Sequence, residues 1–135
     1  MSVSRVFVDT SAIFALLVPT DKAHRTAAKV FERLRFQEAT LVTTSYALVE
    51  TYALLGNRVG REAVEAFREG FAPLLDVVWV DRELHERGLD MMVTKARGVS
   101  LVDAVSFVCI RGEKVDEVFA FDRHFEQEGF VILGA

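Results

Sequence analysis

Arg5-Val6-Phe7-Val8-Asp9-Thr10-Ser11-Ala12-Ile13-Phe14-Ala15-Leu16-Leu17-Val18 carries a single carboxylate, Asp9, in a stretch free of other charge from Val6 onward. Its first part, with Val3 upstream, reads as a short buried strand over Val3 to Val8, apolar and β-branched. Its second part reads as a helix over Ser11 to Leu17, stopped near Pro19. Asp9 sits at the joint. Two more carboxylates are isolated in the same way. Glu50 is the only charge between Glu38 and Arg58, and Asp103 the only one between Arg97 and Arg111. Such runs are normally buried. A buried carboxylate needs a partner, a proton or a metal, because desolvating it alone costs about several kcal/mol or more. None of the three runs contains a Lys or Arg, so either distant basic residues reach in or the acids share a cation.

The rest of the chain repeats this strand-then-helix order. Lys22 to Gln37 reads as a helix with Ala27, Val30, Phe31 and Leu34 on one face. Thr40 to Thr43 is a second strand, followed by a nearly all-apolar helix from Ser45 to Leu55 that Gly56 is expected to end. Arg61 to Phe71 is amphipathic, with Val64, Phe67 and Phe71 at helical spacing. Val77 to Val80 is a third strand. Asp81 is placed to cap a helix to about Arg97, with Gly98 as its stop. Ser100 opens a helix over Leu101 to Arg111. Glu117 to Phe121 and Phe130 to Leu133 are the last strands. This alternation implies an α/β fold with a central, mostly parallel sheet of about five strands, covered by helices on both faces.

In such folds ligands bind at the carboxyl ends of the strands. Asp9 directly follows strand one and Asp122 directly follows strand four. Glu50 lies in the second turn of the helix leaving strand two. Asp103 lies in the first turn of the helix entering strand four. All four acids are thereby expected on one rim. Their oxygens are hard ligands suited to Mg²⁺ or Mn²⁺. No His or Cys accompanies them at zinc-like spacing, which argues against zinc. A metal-bound water is a candidate nucleophile, and the ion offsets charge on a phosphoryl oxygen. That is the layout for metal-assisted phosphodiester hydrolysis.

Each Asp also has a purely structural reading. Asp9 can cap the first helix, Ser100-Leu101-Val102-Asp103 matches a capping box, and Asp122 can cap a short segment through Phe125. Glu50, beyond the first turn, has no such reading. His24, His85 and His124 read as surface or packing residues, with His124 nearest the rim. Cys109 and Trp79 read as core. Tyr46 and Tyr52, on the Glu50 helix, read as core or partner packing rather than base stacking.

The bulk numbers are consistent with one domain over residues 1–135. Half of the 135 residues are hydrophobic (51%), enough for one sizeable core. The net charge of −4 gives no global attraction to nucleic acid. Arg5, Arg25, Arg58, Arg61, Arg68, Lys95, Arg97 and Arg123 are scattered, as on solvated helix faces. No stretch reads as a membrane span or a cleavable leader. The single Cys109 suits a reducing compartment, and the cytoplasm is the expected location.

At these positions the chain resembles a PIN-domain ribonuclease, and most of all the small VapC-type toxins of toxin–antitoxin pairs. The matching pieces are Val8-Asp9-Thr10-Ser11, Thr44-Ser45-Tyr46-Ala47-Leu48-Val49-Glu50, Ser100-Leu101-Val102-Asp103-Ala104 and Phe121-Asp122-Arg123-His124-Phe125. Asp21-Lys22-Ala23-His24 also resembles a segment common after the first helix. The resemblance implies a Mg²⁺- or Mn²⁺-dependent endoribonuclease. Asp9 and Asp103 would be the main metal ligands, with Glu50 and Asp122 completing the pocket. Thr10 and Ser11 would orient Asp9 and its waters. It further implies an RNA substrate, a homodimer and a cognate antitoxin, often presenting an Arg to the acidic pocket. Relatives often carry Thr or Ser two residues before the last acid, where this chain has Ala120. A non-catalytic PIN module that binds RNA or a protein partner is the rival reading. A phosphatase using Asp9 as nucleophile ranks lower, because Ser11 stands where a second acid is wanted.

Overall fold

The computed structural model describes residues 4–95, 98–115 and 117–134. Five strands form one sheet: β1 (Arg5–Val8), β2 (Thr40–Thr44), β3 (Leu75–Val78), β4 (Glu117–Phe119) and β5 (Ile132–Leu133). Seven α-helices connect or flank them: α1 (Thr10–Leu17), α2 (His24–Phe36), α3 (Ser45–Arg58), α4 (Arg61–Ala66), α5 (Arg82–Thr94), α6 (Leu101–Gly112) and α7 (Arg123–Gln127). The sheet order is β3-β2-β1-β4-β5, and every pair is parallel.

Alternation along β1 divides the core into two layers, because successive strand side chains point to opposite faces. Val6 and Val8 face a cluster that includes Ile13 of α1, Leu34 of α2, Leu55 of α3 and Phe67. Phe7 faces the other way, toward Phe107 and Ile110 of α6 and Phe125 of α7. Helices cover both faces, which is why the strands are apolar on both sides.

The chain builds outward from β1 through β2 to β3, then returns to the opposite side of β1 for β4 and β5. The order therefore reverses between β1 and β4, where parallel α/β sheets open a crevice at their carboxyl edge. There the Asp9 N–H donates to the Phe119 carbonyl at 3.0 Å, stitching the two strand ends together. Among the described residues, no helix is long and apolar enough to cross a membrane.

Several boundaries differ from expectation. Val3 lies outside the described residues, and β1 starts at Arg5. Helix α3 runs through Gly56 to Arg58, and the break falls at Gly60, whose φ of 132° is open to glycine. The 61–71 segment is not one regular helix. After Ala66 it widens into a π-helical turn over Phe67–Phe71, which buries both phenylalanines and stacks their rings 5.8 Å apart. Strand β3 lies two residues earlier than expected. Trp79 therefore falls past its end and is exposed, not core. Helix α5 ends at Thr94; its expected end at Arg97 lies outside the described residues.

Candidate active site

Asp9 follows β1 directly and is the N-cap of α1. Its Oδ2 accepts from the Ser11 backbone N–H at 3.1 Å and from the Ser11 hydroxyl at 2.6 Å. The same hydroxyl accepts from the Phe121 N–H at 2.9 Å. Ser11 thus ties Asp9 to the loop that carries Asp122, across the reversal in the sheet. Asp122 caps α7 by accepting from the His124 N–H at 2.9 Å. Its position is set by this cap and by the Ser11 clamp on Phe121, so Ala120, buried in the sheet core, is not needed to place it.

Asp103 lies in the first turn of α6, where Ser100 accepts from its N–H at 3.1 Å. The capping reading is therefore correct, but it leaves the carboxylate available, and that carboxylate turns to His124. His124 Nδ1 lies 3.1 Å from Asp103 Oδ2 and 3.1 Å from Asp122 Oδ1. Asp103, Asp122 and His124 each offer a ligand atom, and all three atoms lie within 4.8 Å of one another. Asp9 and Glu50 stand outside this tightest set.

Glu50 departs from expectation in its burial. Beyond Ser45 at its start, α3 buries the Ala47, Thr51 and Leu55 stripe, and Glu50 is exposed on the next face round. An apolar helix buries the face that meets its neighbour, not its whole circumference. Beside Glu50, a shallow groove of about 340 Å³ is lined by Tyr46, Val49 and Val102. Thr10 also differs. Its hydroxyl donates to the Ala47 carbonyl at 3.0 Å and lies 3.0 Å from the Thr51 hydroxyl, so it fastens α1 to α3 rather than touching Asp9. Asp9 folds back over the second helical residue, Ser11, and the first, Thr10, projects away from it.

The acids are electrostatically strained. Burial pushes the Asp9 carboxyl up to about 7, against the pull of Ser11, and the charges of Asp103 and Asp122 add to the rise. Although Glu50 is exposed as a residue, partial desolvation of its carboxylate raises it, against a hydrogen bond from Thr10, and Asp103 and Asp122 add to the rise. Asp103 is raised by burial and by Asp122, with His124 opposing. The charges of Asp103 and Asp122 are thus felt at both Asp9 and Glu50. Among the described residues, the only basic side chain at ion-pair distance from any of them is His124. The donor set therefore fits a divalent cation: hard oxygens, mutually repelling, with no Lys or Arg among the described residues neutralising them.

The remaining singled-out residues are structural. His24 Nδ1 bonds the Ala15 carbonyl at 2.8 Å, and His85 bonds the Tyr46 hydroxyl. Tyr52 packs edge-on against Phe67, and Cys109 is buried, its thiol pushed up to about 11 by burial. Arg25, Arg58, Arg61, Arg68, Lys95 and Arg123 are exposed, while Arg97 lies outside the described residues. His124 is the residue that sequence reasoning undervalued. Its signal was the Asp122-x-His124 spacing at a strand end, which puts both side chains over the same rim.

A parallel α/β domain with an acidic pocket at its topological switch point is the class of protein that fold and site define. The PIN domain family model matches residues 6–130, and the chain belongs to that family. It is 34% identical over 128 residues, 93% of its length and 95% of theirs, to two Mycobacterium tuberculosis proteins named 23S rRNA-specific endonuclease VapC20, from strains H37Rv and CDC 1551. The crystal structure of M. tuberculosis VapC20, described as a sarcin-ricin loop cleaving toxin, superimposes with a TM-score of 0.81 at 33% identity, covering 93% of this chain and 96% of that one. VapBC2 from Rickettsia felis, solved on a DNA fragment from its promoter, has the same fold, with a TM-score of 0.71 at 11% identity, covering 95% of this chain and 96% of that one.

Proposed function

We propose that this protein is a Mg²⁺- or Mn²⁺-dependent endoribonuclease and the toxin of a type II toxin–antitoxin pair. The observation that carries this is the grouping of Asp9, Glu50, Asp103 and Asp122 within reach of one another's charge, with no Lys or Arg paired to them among the described residues. The similarity to VapC20 along most of both chains supports the same reading.

In this reading Asp103 and Asp122 would hold the ion, with Asp9 and Glu50 completing its surroundings directly or through water. When bound, the ion would supply a nucleophilic water and charge neutralisation at the scissile phosphate. The chain's own residues do the rest. Ser11 fixes the Asp9 carboxylate and the loop to Asp122. Thr10 holds α3, and with it Glu50, against α1. The sarcin–ricin loop of 23S rRNA is the first substrate to try, because VapC20 is described as cleaving it.

The exposed Val49 and the groove of Tyr46, Val49 and Val102 beside Glu50 suit a partner with an apolar face and a basic tip. We assign that partner as the antitoxin. A homodimer and a cytoplasmic location complete the proposal.

The decisive experiment incubates the protein with ribosomes and with naked 23S rRNA in Mg²⁺ or Mn²⁺, and maps new 5′ ends by primer extension. A discrete cut, abolished by EDTA and by Asp103→Asn, is the expected result. Metal-dependent tight RNA binding without any cut would favour the non-catalytic module instead.

A further inference from the structure

His124 is held in an unusual position for a packing residue. Its Nδ1 lies 3.1 Å from one oxygen of Asp103 and 3.1 Å from one oxygen of Asp122. Nδ1 and the two carboxylate oxygens converge on each other. A proton on Nδ1 satisfies that arrangement, and so does a divalent ion. In octahedral coordination with bonds of about 2.1 Å, ligands at right angles are separated by about 3 Å. The observed spacings from Nδ1 match that edge length.

The surroundings favour a fixed ring. The His124 backbone is pinned by the Asp122 cap. On the far side the ring lies against Gly98, where an added Cβ would come within 3.3 Å of Nε2. Gly98 has a φ of 99° and no side chain, so the imidazole fits over the backbone. The ring is thereby confined between Gly98 and the two carboxylates, with Nδ1 toward Asp103 and Asp122.

We propose that His124 is a direct nitrogen ligand of the divalent ion held by Asp103 and Asp122, and that it biases the site toward Mn²⁺ over Mg²⁺. The inference rests on the metal-dependent reading above and specifies its ligand set. Carboxylate and water ligands alone suit Mg²⁺, whereas an imidazole nitrogen favours transition ions. His124 thereby converts an all-oxygen site into a mixed one.

The test uses untagged, full-length protein loaded with Mn²⁺ and examined by pulsed electron paramagnetic resonance. Wild type is expected to show ¹⁴N modulation from a bound imidazole, changing to the ¹⁵N pattern when histidine is ¹⁵N-labelled. The signal is attributable to His124 because His24 and His85 are engaged by the Ala15 carbonyl and the Tyr46 hydroxyl. In His124→Gln the modulation disappears, and calorimetry shows the ratio of Mn²⁺ to Mg²⁺ affinity falling about tenfold or more. Mn²⁺ that binds wild type with no nitrogen coupling overturns the proposal while leaving a carboxylate metal site intact. An unchanged Mn²⁺ to Mg²⁺ ratio in folded His124→Gln overturns it too. Failure of wild type to bind Mn²⁺ at all overturns both this proposal and the metal-dependent reading. The labelled wild-type spectrum decides the matter even if the variant does not fold.

Discussion

Asp9 combines three roles that compete for one carboxylate: helix cap, buried acid and member of a charged cluster. In an unfolded chain it ionises near 3.8, and in the metal-free fold at about 7. The folded state therefore binds the proton more tightly. Stability from this group is complete below about pH 4 and is lost as pH rises to about 7, by at most about 4 kcal/mol. Urea denaturation in EDTA is expected to show the wild type more stable at about pH 5 than at about pH 7.5, with Asp9→Asn flattening the difference. A variant keeping the wild-type slope would assign the titration to another group. Ser11 is the second residue whose removal is informative. Ser11→Ala leaves the Phe121 N–H without its partner and Asp9 with one donor fewer, at a cost of about 1–3 kcal/mol. Calorimetry on the same variant is expected to show weaker Mn²⁺ binding, because Asp9 and the Asp122 loop lose their common tie. Full affinity would mean the clamp serves the fold alone.

Among the elements, the α5–α6 contact controls where Asp103 stands. Gly88 of α5 lets α6 approach closely: a Cβ there would lie 2.4 Å from Val105 Cγ2 and 3.3 Å from the Val105 backbone. Alanine gains about 1 kcal/mol of helix propensity over glycine. Overpacking against a short β-branched side chain and backbone costs about 1–3 kcal/mol and prevails. Gly88→Ala is therefore expected to lower the melting temperature, and Val105→Ala in the same chain to recover part of the loss. Val105 is two residues from Asp103, so the single variant also displaces a proposed ligand. A melting temperature raised by Gly88→Ala would show that the helices can separate freely. The α1–α3 contact adds hydrogen bonds through Thr10, Ala47 and Thr51 to shared apolar packing.

At the scale of the whole molecule, the fold holds mutually repelling acids together, and the proposed ion, binding only the folded state, would offset that repulsion. Saturation at about a hundred times the dissociation constant stabilises by about 2.7 kcal/mol. For a chain of this size that is a rise of about several degrees in melting temperature. Scanning calorimetry is expected to show this rise with Mn²⁺, its reversal by EDTA, and its absence in Asp103→Asn. An equal rise in that variant would place the ion elsewhere.

Much of this was legible in the sequence. Alternating strands and helices dictate a parallel sheet, and acids at strand ends and helix starts dictate a shared rim, because both follow from local periodicity and short connections. The sequence by itself therefore determined the architecture and singled out the four acids expected at its carboxyl edge. The widened turn at Phe67–Phe71 and the exposure of Glu50 and Trp79 were not legible, since they depend on which face a neighbouring element covers. Nor was the link from His124 to Asp103 and Asp122. It spans the loops after two different elements, and a contact of 3.1 Å depends on their relative placement, which only the packed core of Phe107, Phe125 and the sheet fixes.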